Sequence, residues 1–177
     1  MLSLYVVGVQ RELCIDQTRP NDEQWIRQLY VFPNSTDFII ICCTSSQAQA
    51  FIDCQYLEID MSFKMVAGQI NLFSLVGWDN HWKRKFYISS AYAILILLGI
   101  ISYCYCFTTC NTRAGYYKMF ELVFTTLSEA ARSVVHWPYF HSVAQGVRTI
   151  GLDMCAKQAG GMFSICLCTI ANIFRSR

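Results

Sequence analysis

The sequence predicts an α/β fold, and three observations support this prediction. Apolar and polar side chains alternate through residues 56–64, which is the period of a β-strand. A short glycine-containing turn at 67–69 leads into a second apolar run at 70–78, so the two runs are expected to form an antiparallel hairpin. Residues 113–129 place aromatic and aliphatic side chains three or four positions apart, which predicts an amphipathic helix that Thr112 could cap.

The composition indicates one domain with fewer charged residues than a typical soluble domain. The chain has 177 residues, of which 54% are hydrophobic and 15% charged, and its net charge is +2. Typical soluble domains have about 25% charged residues, and a net charge this small gives no electrostatic argument for nucleic-acid binding. Arg11 and Glu12 interrupt the first apolar run too early for a secretory signal, so we expect the ten cysteines to be reduced thiols of the cytosol or nucleus.

The first thirty residues predict one strand and one short helix. Residues 2–9 form a short apolar run, which favours a strand. After a turn at 20–23, helical spacing of the apolar side chains predicts a helix over 22–30.

The next segment predicts a strand followed by a helix. Residues 38–43 are apolar and favour a strand. Residues 45–53 carry their apolar side chains on one helical face, with Thr44 or Ser45 as the N-cap.

The run from 86 to 112 contains no charged side chain, and two interpretations of it stay open. In the first, part of the run is a core strand beside the hairpin. In the second, residues 87–107 form one membrane-spanning helix, because about 20 apolar residues span a bilayer. The basic cluster at 83–85 would then lie on the cytoplasmic side.

Beyond the helix at 113–129, the sequence predicts another strand and a last helix. Residues 147–154 resemble a strand with Asp153 near its end. A helix is expected to begin near Lys157, with an early interruption at Gly160 and Gly161.

Asp60 and Asp153 are the candidate site residues. Asp60 lies in the middle of a strand pattern, where aspartate is uncommon, and both aspartates are followed by methionine. Two carboxylates that converge through a sheet would suit Mg²⁺ or Mn²⁺, which prefer oxygen ligands. Paired ions of this kind support phosphodiester chemistry. An aspartate on the solvent face of a strand is the alternative for Asp60.

Four segments strengthen this interpretation because of their order in the chain. They are IDMSFK at 59–64, VGWD at 76–79, FTTCNTRAGYYKMF at 107–120 and IGLDM at 150–154. Together they resemble Mutator-like element (MULE) transposases, over about residues 25–165. The resemblance implies a ribonuclease-H-like mixed sheet, an antiparallel hairpin plus a parallel strand with flanking helices, and a DDE site that binds Mg²⁺ or Mn²⁺.

The same resemblance assigns roles to particular residues. It implies that Asp60 is the first acidic ligand, on the first strand, and that Asp153 is the second, at the end of the fourth strand. The helix at 113–129 would lie between the third and fourth strands. DNA, in the form of transposon ends, would be the partner, and the location would be nuclear.

Two departures from the family lead us to expect an inactive protein. The family's third carboxylate comes from a later helix, whereas Asp153 is the last acidic residue here, and neither Asp79 nor Glu121 occupies the matching place. Residues near 86–101 are additional to the family's pattern and could be unspliced intron sequence. We therefore expect a fragment or relic of a DNA transposase, incomplete at its C-terminus, that does not catalyse strand transfer.

The domain organisation follows from these interpretations. Residues 1–44 would be a lead-in segment, and residues 45–177 a partial catalytic-type domain with an insertion or membrane segment at 86–107. The alternative function is that of a single-pass membrane protein, anchored by 87–107 and without enzymatic activity.

A zinc site is a weaker alternative for some of the cysteines. Cys104, Cys106 and Cys110 could combine with His136 or His141. Their spacing matches no common tetrahedral site, so buried inert thiols are the preferred interpretation.

Overall fold

A six-stranded mixed sheet organises the described part of the protein, with helices packed on both of its faces. The computed structural model describes residues 4–33, 35–52, 54, 56–62, 69–78, 100–132, 147, 149–152 and 156–175. The elements in chain order are α1 (Leu4–Asp16), β1 (Ile26–Val31), β2 (Phe38–Cys42), α2 (Ser45–Ile52), β3 (Tyr56–Ser62), β4 (Asn71–Trp78), β5 (Ile100–Thr108), α3 (Arg113–Ala131), β6 (Thr149–Leu152) and α4 (Ala156–Arg175). The predicted α/β class with a mixed sheet is confirmed.

The strands lie in the order β1-β2-β5-β4-β3-β6, and β6 alone is parallel to its neighbour. β3 and β4 form the predicted antiparallel hairpin, in which Ile59 lies opposite Leu75. The predicted strand at 38–43 is confirmed as β2, and the one at 147–154 as the shorter β6. Strands β1 and β2, which fall within residues 1–44, belong to the same sheet because β2 pairs with β5.

Strand β5 lies within the charge-free run and is enclosed on all sides. It pairs with β2 along one edge and with β4 along the other. Cys104 and Cys106 at its centre are fully buried, which explains why no charged side chain occurs there. The alternative of one continuous helix over 87–107 is therefore wrong for residues 100–107, and residues 86–99 lie outside the described part.

None of the helices in the described ranges is long and apolar enough to cross a bilayer.

Two predictions near the N-terminus are wrong. Residues 4–9 of the apolar run at 2–9 are the beginning of helix α1, not a strand, because the periodicity continues to Leu13, which is buried with Val6 seven positions earlier. The helix predicted over 22–30 is replaced by β1 from Ile26, because hydrogen bonds to β2 outweigh the local helical spacing.

A buried carboxylate fixes the start of β1. Asp16 is 4% exposed and ends helix α1. Its Oδ2 accepts hydrogen bonds from the backbone N–H groups of Trp25 (2.7 Å) and Ile26 (2.6 Å). Its Oδ1 accepts one from Arg19 at 3.0 Å. These three hydrogen bonds give both oxygens of the buried carboxylate a partner, and they tie α1 to the edge of the sheet.

The predicted helices α2 and α3 have the expected caps. The Thr44 hydroxyl accepts a hydrogen bond from Gln47 N at 3.2 Å, and the Gln47 side chain accepts one from Thr44 N at 2.9 Å. This reciprocal pair is a capping box. At the start of α3, Thr112 Oγ1 accepts from Gly115 N at 3.0 Å, as the sequence predicted.

Aromatic rings join the helices to the sheet. Phe51 of α2 contacts Tyr103 of β5, with ring centroids 5.2 Å apart, and Phe124 of α3 at 5.9 Å. Gly77 of β4 leaves room for the Tyr103 ring, because a Cβ at that position would lie 2.5 Å from it.

Helix α4 runs through Gly160 and Gly161, so the predicted interruption is wrong. A Cβ on Gly161 would lie 2.7 Å from Tyr116 Cβ and 2.9 Å from Tyr117 N. The glycine thus allows α4 to approach the backbone of α3, and this contact compensates for the low helix propensity of glycine. Beside it, Arg113 donates from Nε to the Gly160 carbonyl at 3.2 Å.

Two helical glycines should respond to alanine substitution in opposite directions. We expect Gly161→Ala to lower the free energy of unfolding by about 1–2 kcal/mol, because the added methyl meets backbone atoms of α3. Gly8→Ala should raise it by about 0.5–1 kcal/mol, since a Cβ there meets no atom within 4 Å. Urea unfolding of both variants measures the difference, and equal effects would contradict the close helix contact.

Asp16 provides a second test of the fold. We expect Asp16→Ala to lower the free energy of unfolding by about 2–3 kcal/mol, because two backbone N–H groups lose a charged acceptor. Asp22→Ala is the control, since Asp22 is exposed in the following loop. A loss in urea unfolding no larger than that of the control would show that Asp16 does not anchor β1.

Candidate functional site

Asp60 lies in β3, opposite Ser74 of β4 in the antiparallel register. Leu57 and Ile59 of this strand are buried, whereas Glu58 is exposed, so the strand alternates between a core face and an outer face. By this alternation, position 60 belongs to the outer face with Glu58. The described geometry of Asp60 is that of its backbone.

Asp153 lies outside the described residues, but the strand before it is described. β6 ends at Leu152, which pairs in parallel with Ile59 of β3. Asp60 therefore directly follows one member of this cross-strand pair in the chain, and Asp153 directly follows the other. The described pairing reaches Ile59 and Leu152, so the register of these two strands is known up to the residue before each aspartate.

The residues that surround this strand pair were not predicted from the sequence. Gly151 of β6 pairs with Glu58, and a Cβ on it would lie 3.2 Å from the Tyr56 hydroxyl. The glycine thus lets Tyr56 and Glu58 lie close over β6. Gly151 in the IGLD segment could have indicated this arrangement, because a glycine inside a strand often marks the close approach of a neighbouring group.

Glu121 is far from this edge of the sheet. Its carboxylate pairs with Lys118 at 2.6 Å, and the Lys118 ammonium lies 5.1 Å from the centre of the Tyr30 ring. Tyr30 belongs to β1, which is the opposite edge strand to β6. Asp79, the other carboxylate considered, lies outside the described residues.

The first turn of α4 carries a cation, Lys157, which is bound to Asn111 ahead of α3. Helix α4 contains no Asp or Glu. Lys157 donates to both the carbonyl and the side-chain oxygen of Asn111, each at 3.1 Å. The helix that follows β6 therefore adds no carboxylate to Asp60 and Asp153. Across the described ranges, no three His, Cys, Asp or Glu side chains are grouped so that they could hold a metal ion.

Seven cysteines have described side chains and are unpaired, and all of these except Cys14 are buried: Cys14, Cys42, Cys43, Cys54, Cys104, Cys106 and Cys110. Burial raises the pKa of Cys42 from 9.0 to about 12 and the pKa values of Cys43 and Cys54 to about 11. Burial also raises the pKa values of Cys104 and Cys106. Thiols that stay protonated are poor nucleophiles and poor metal ligands. His136 and His141, the suggested zinc partners, lie outside the described residues.

The buried thiols predict a loss of stability in alkali. Because their pKa values rise on folding, their contribution is complete below pH 9 and declines as the pH rises toward 11–12. Each thiol removes up to about 1.4 kcal/mol per pH unit in that range. We expect Cys42→Ala to flatten the decline in urea unfolding between pH 9 and 10.5, and Cys14→Ala to leave it unchanged. An equal slope in both variants would contradict the assignment.

Comparison with known proteins gives no relative for this chain. No family model matches it, no curated protein matches it, and no solved structure matches it. The candidate site is therefore interpreted from the residues and from the strand register alone.

Proposed function

We propose that this chain is a ribonuclease-H-like domain related to Mutator-like transposases, with Asp60 and Asp153 as two ligands of a divalent-cation site. In this proposal the 177 residues form a fragment or relic of a DNA transposase, and they do not catalyse strand transfer on their own. The observation that carries the proposal is the parallel pairing of Ile59 with Leu152, the residues directly before the two aspartates.

The order of the strands supports the proposal. β3, β4 and β5 are successive antiparallel neighbours, and β6 returns to lie parallel to β3 on its other side. Helix α3 lies between β5 and β6 in the chain, and α4 follows β6. The resemblance implies a strand order of this kind, with the first acidic residue on the first strand and the second at the end of the fourth. The additional hairpin of β1 and β2 extends the sheet beyond β5.

The carboxylate count supports the absence of catalysis. Two carboxylates can hold Mg²⁺ or Mn²⁺ weakly, with water as the remaining ligands. Two-ion phosphodiester chemistry also needs the second ion fixed close to the first. Glu121 is engaged by Lys118 near the opposite edge, and α4 supplies no carboxylate. DNA, as transposon ends, and a nuclear location remain part of the proposal through the resemblance.

Mn²⁺ binding tests the carboxylate pair. We expect electron paramagnetic resonance to show weak Mn²⁺ binding that Asp60→Asn weakens by at least about tenfold. Substitution of a residue that only hydrogen-bonds to a metal ligand already lowers metal affinity by about that factor. Glu121→Gln is the matched control and should leave the affinity unchanged, since that carboxylate pairs with Lys118. Binding that is equal in the wild type and Asp60→Asn would refute the site.

Supercoiled-plasmid nicking tests the second part of the proposal separately. With Mn²⁺ present, we expect the wild-type chain to nick no faster than Asp60→Asn. Nicking by the wild type that disappears in Asp60→Asn would show that two aspartates are sufficient, and the proposed loss of catalysis would be wrong.

A further inference from the structure

An apolar cavity of about 150 Å³ lies between helix α1 and the outer face of the sheet. Tyr5, Val6 and Val9 of α1 form its roof. Phe38 and Ile40 of β2 and Phe107 of β5 form its floor, where Ile40 and Phe107 are directly paired. Polar atoms contribute nothing to its wall. We propose that this cavity is a binding site for a small apolar molecule, the size of one aromatic ring or a short aliphatic chain.

The size and the lining determine the class of ligand. An apolar cavity of about 150 Å³ offers a water molecule no hydrogen-bond partners, and it is large enough for a molecule of the size of benzene. A polar or charged ligand would lose its hydration without gaining a partner. The ligand gains dispersion contacts with the wall atoms, which face empty space when the cavity is unfilled.

The roof gives the ligand a path of entry. Tyr5 is 62% exposed, so its ring lies at the rim and not in the core. Gly8 is next to the roof residues, and a Cβ on it would meet no atom within 4 Å. Helix α1 has three buried side chains, of which Val6 alone belongs to the cavity wall. The cavity is only partly enclosed, so a small molecule can reach it beside α1 without a large rearrangement.

Benzene and pyridine are the probes, because they have the same shape and differ in polarity. With benzene at about ten times its dissociation constant, we expect the Tm of the 177-residue protein to rise by about 3–6 °C. Pyridine at the same concentration should give no rise. Equal shifts with the two probes, or no shift with benzene, would overturn the proposal.

A matched pair of valine variants locates the effect. Val9→Phe fills the cavity and should abolish the benzene response, whereas Val7→Phe should retain it, because Val7 is 54% exposed on the same helix. If both variants respond equally, benzene binds elsewhere and the proposal fails.

Methyl spectra of the wild type test the proposal without any variant. Benzene should move the methyl signals of Val6 and Ile40 and leave that of Leu127, on the buried face of α3, unchanged. Movement of Leu127 alone would overturn the proposal. So would a dimer in sedimentation whose cavity methyls do not respond to benzene, because a second copy would then occupy the site.

Discussion

The rest of the fold depends on the enclosure of strand β5. It joins the β1–β2 hairpin to the β3–β4 hairpin, and its backbone hydrogen bonds are made along both edges. Its residues must also be covered on both faces, by Phe51 against Tyr103 on one side and by Trp25 against Tyr105 on the other, where the ring centroids are 5.8 Å apart. A charged side chain here would be buried without water, so the constraint appears in the sequence as a run without charge.

Local signals in the sequence predicted the elements that depend on local interactions. Alternation gave the β3–β4 hairpin, and Thr112 marked the start of α3. The errors fall where a distant partner decides: Ile26 becomes part of a strand because Asp16 and β2 bind its backbone. Likewise, Gly161 stays helical because α3 lies against it. Asp60 could be selected because aspartate is unusual in a strand, whereas its pairing environment beside β6 could not be derived from spacing.

The two faces of the sheet have different roles. Helices α2 and α3 cover one face with a continuous core that includes Ile59, Leu75 and Phe124. The outer face is divided: its β2–β5 end lies under α1 and holds the apolar cavity, and its β3–β6 end carries the exposed Glu58. A single sheet thus separates an apolar region from a region with an exposed carboxylate, because β4 lies between them.

The short parallel ladder of β6 has a consequence for the order of assembly. Its first pair, Tyr56 with Thr149, joins positions about ninety residues apart, whereas the β3–β4 hairpin closes locally. Closing a long loop costs more chain entropy, and the hydrogen bonds of four residue pairs offset only a small part of that cost. The antiparallel strands can therefore form first and persist when β6 detaches. The β3–β6 ladder would then be the last part of the described sheet to form and the first to open.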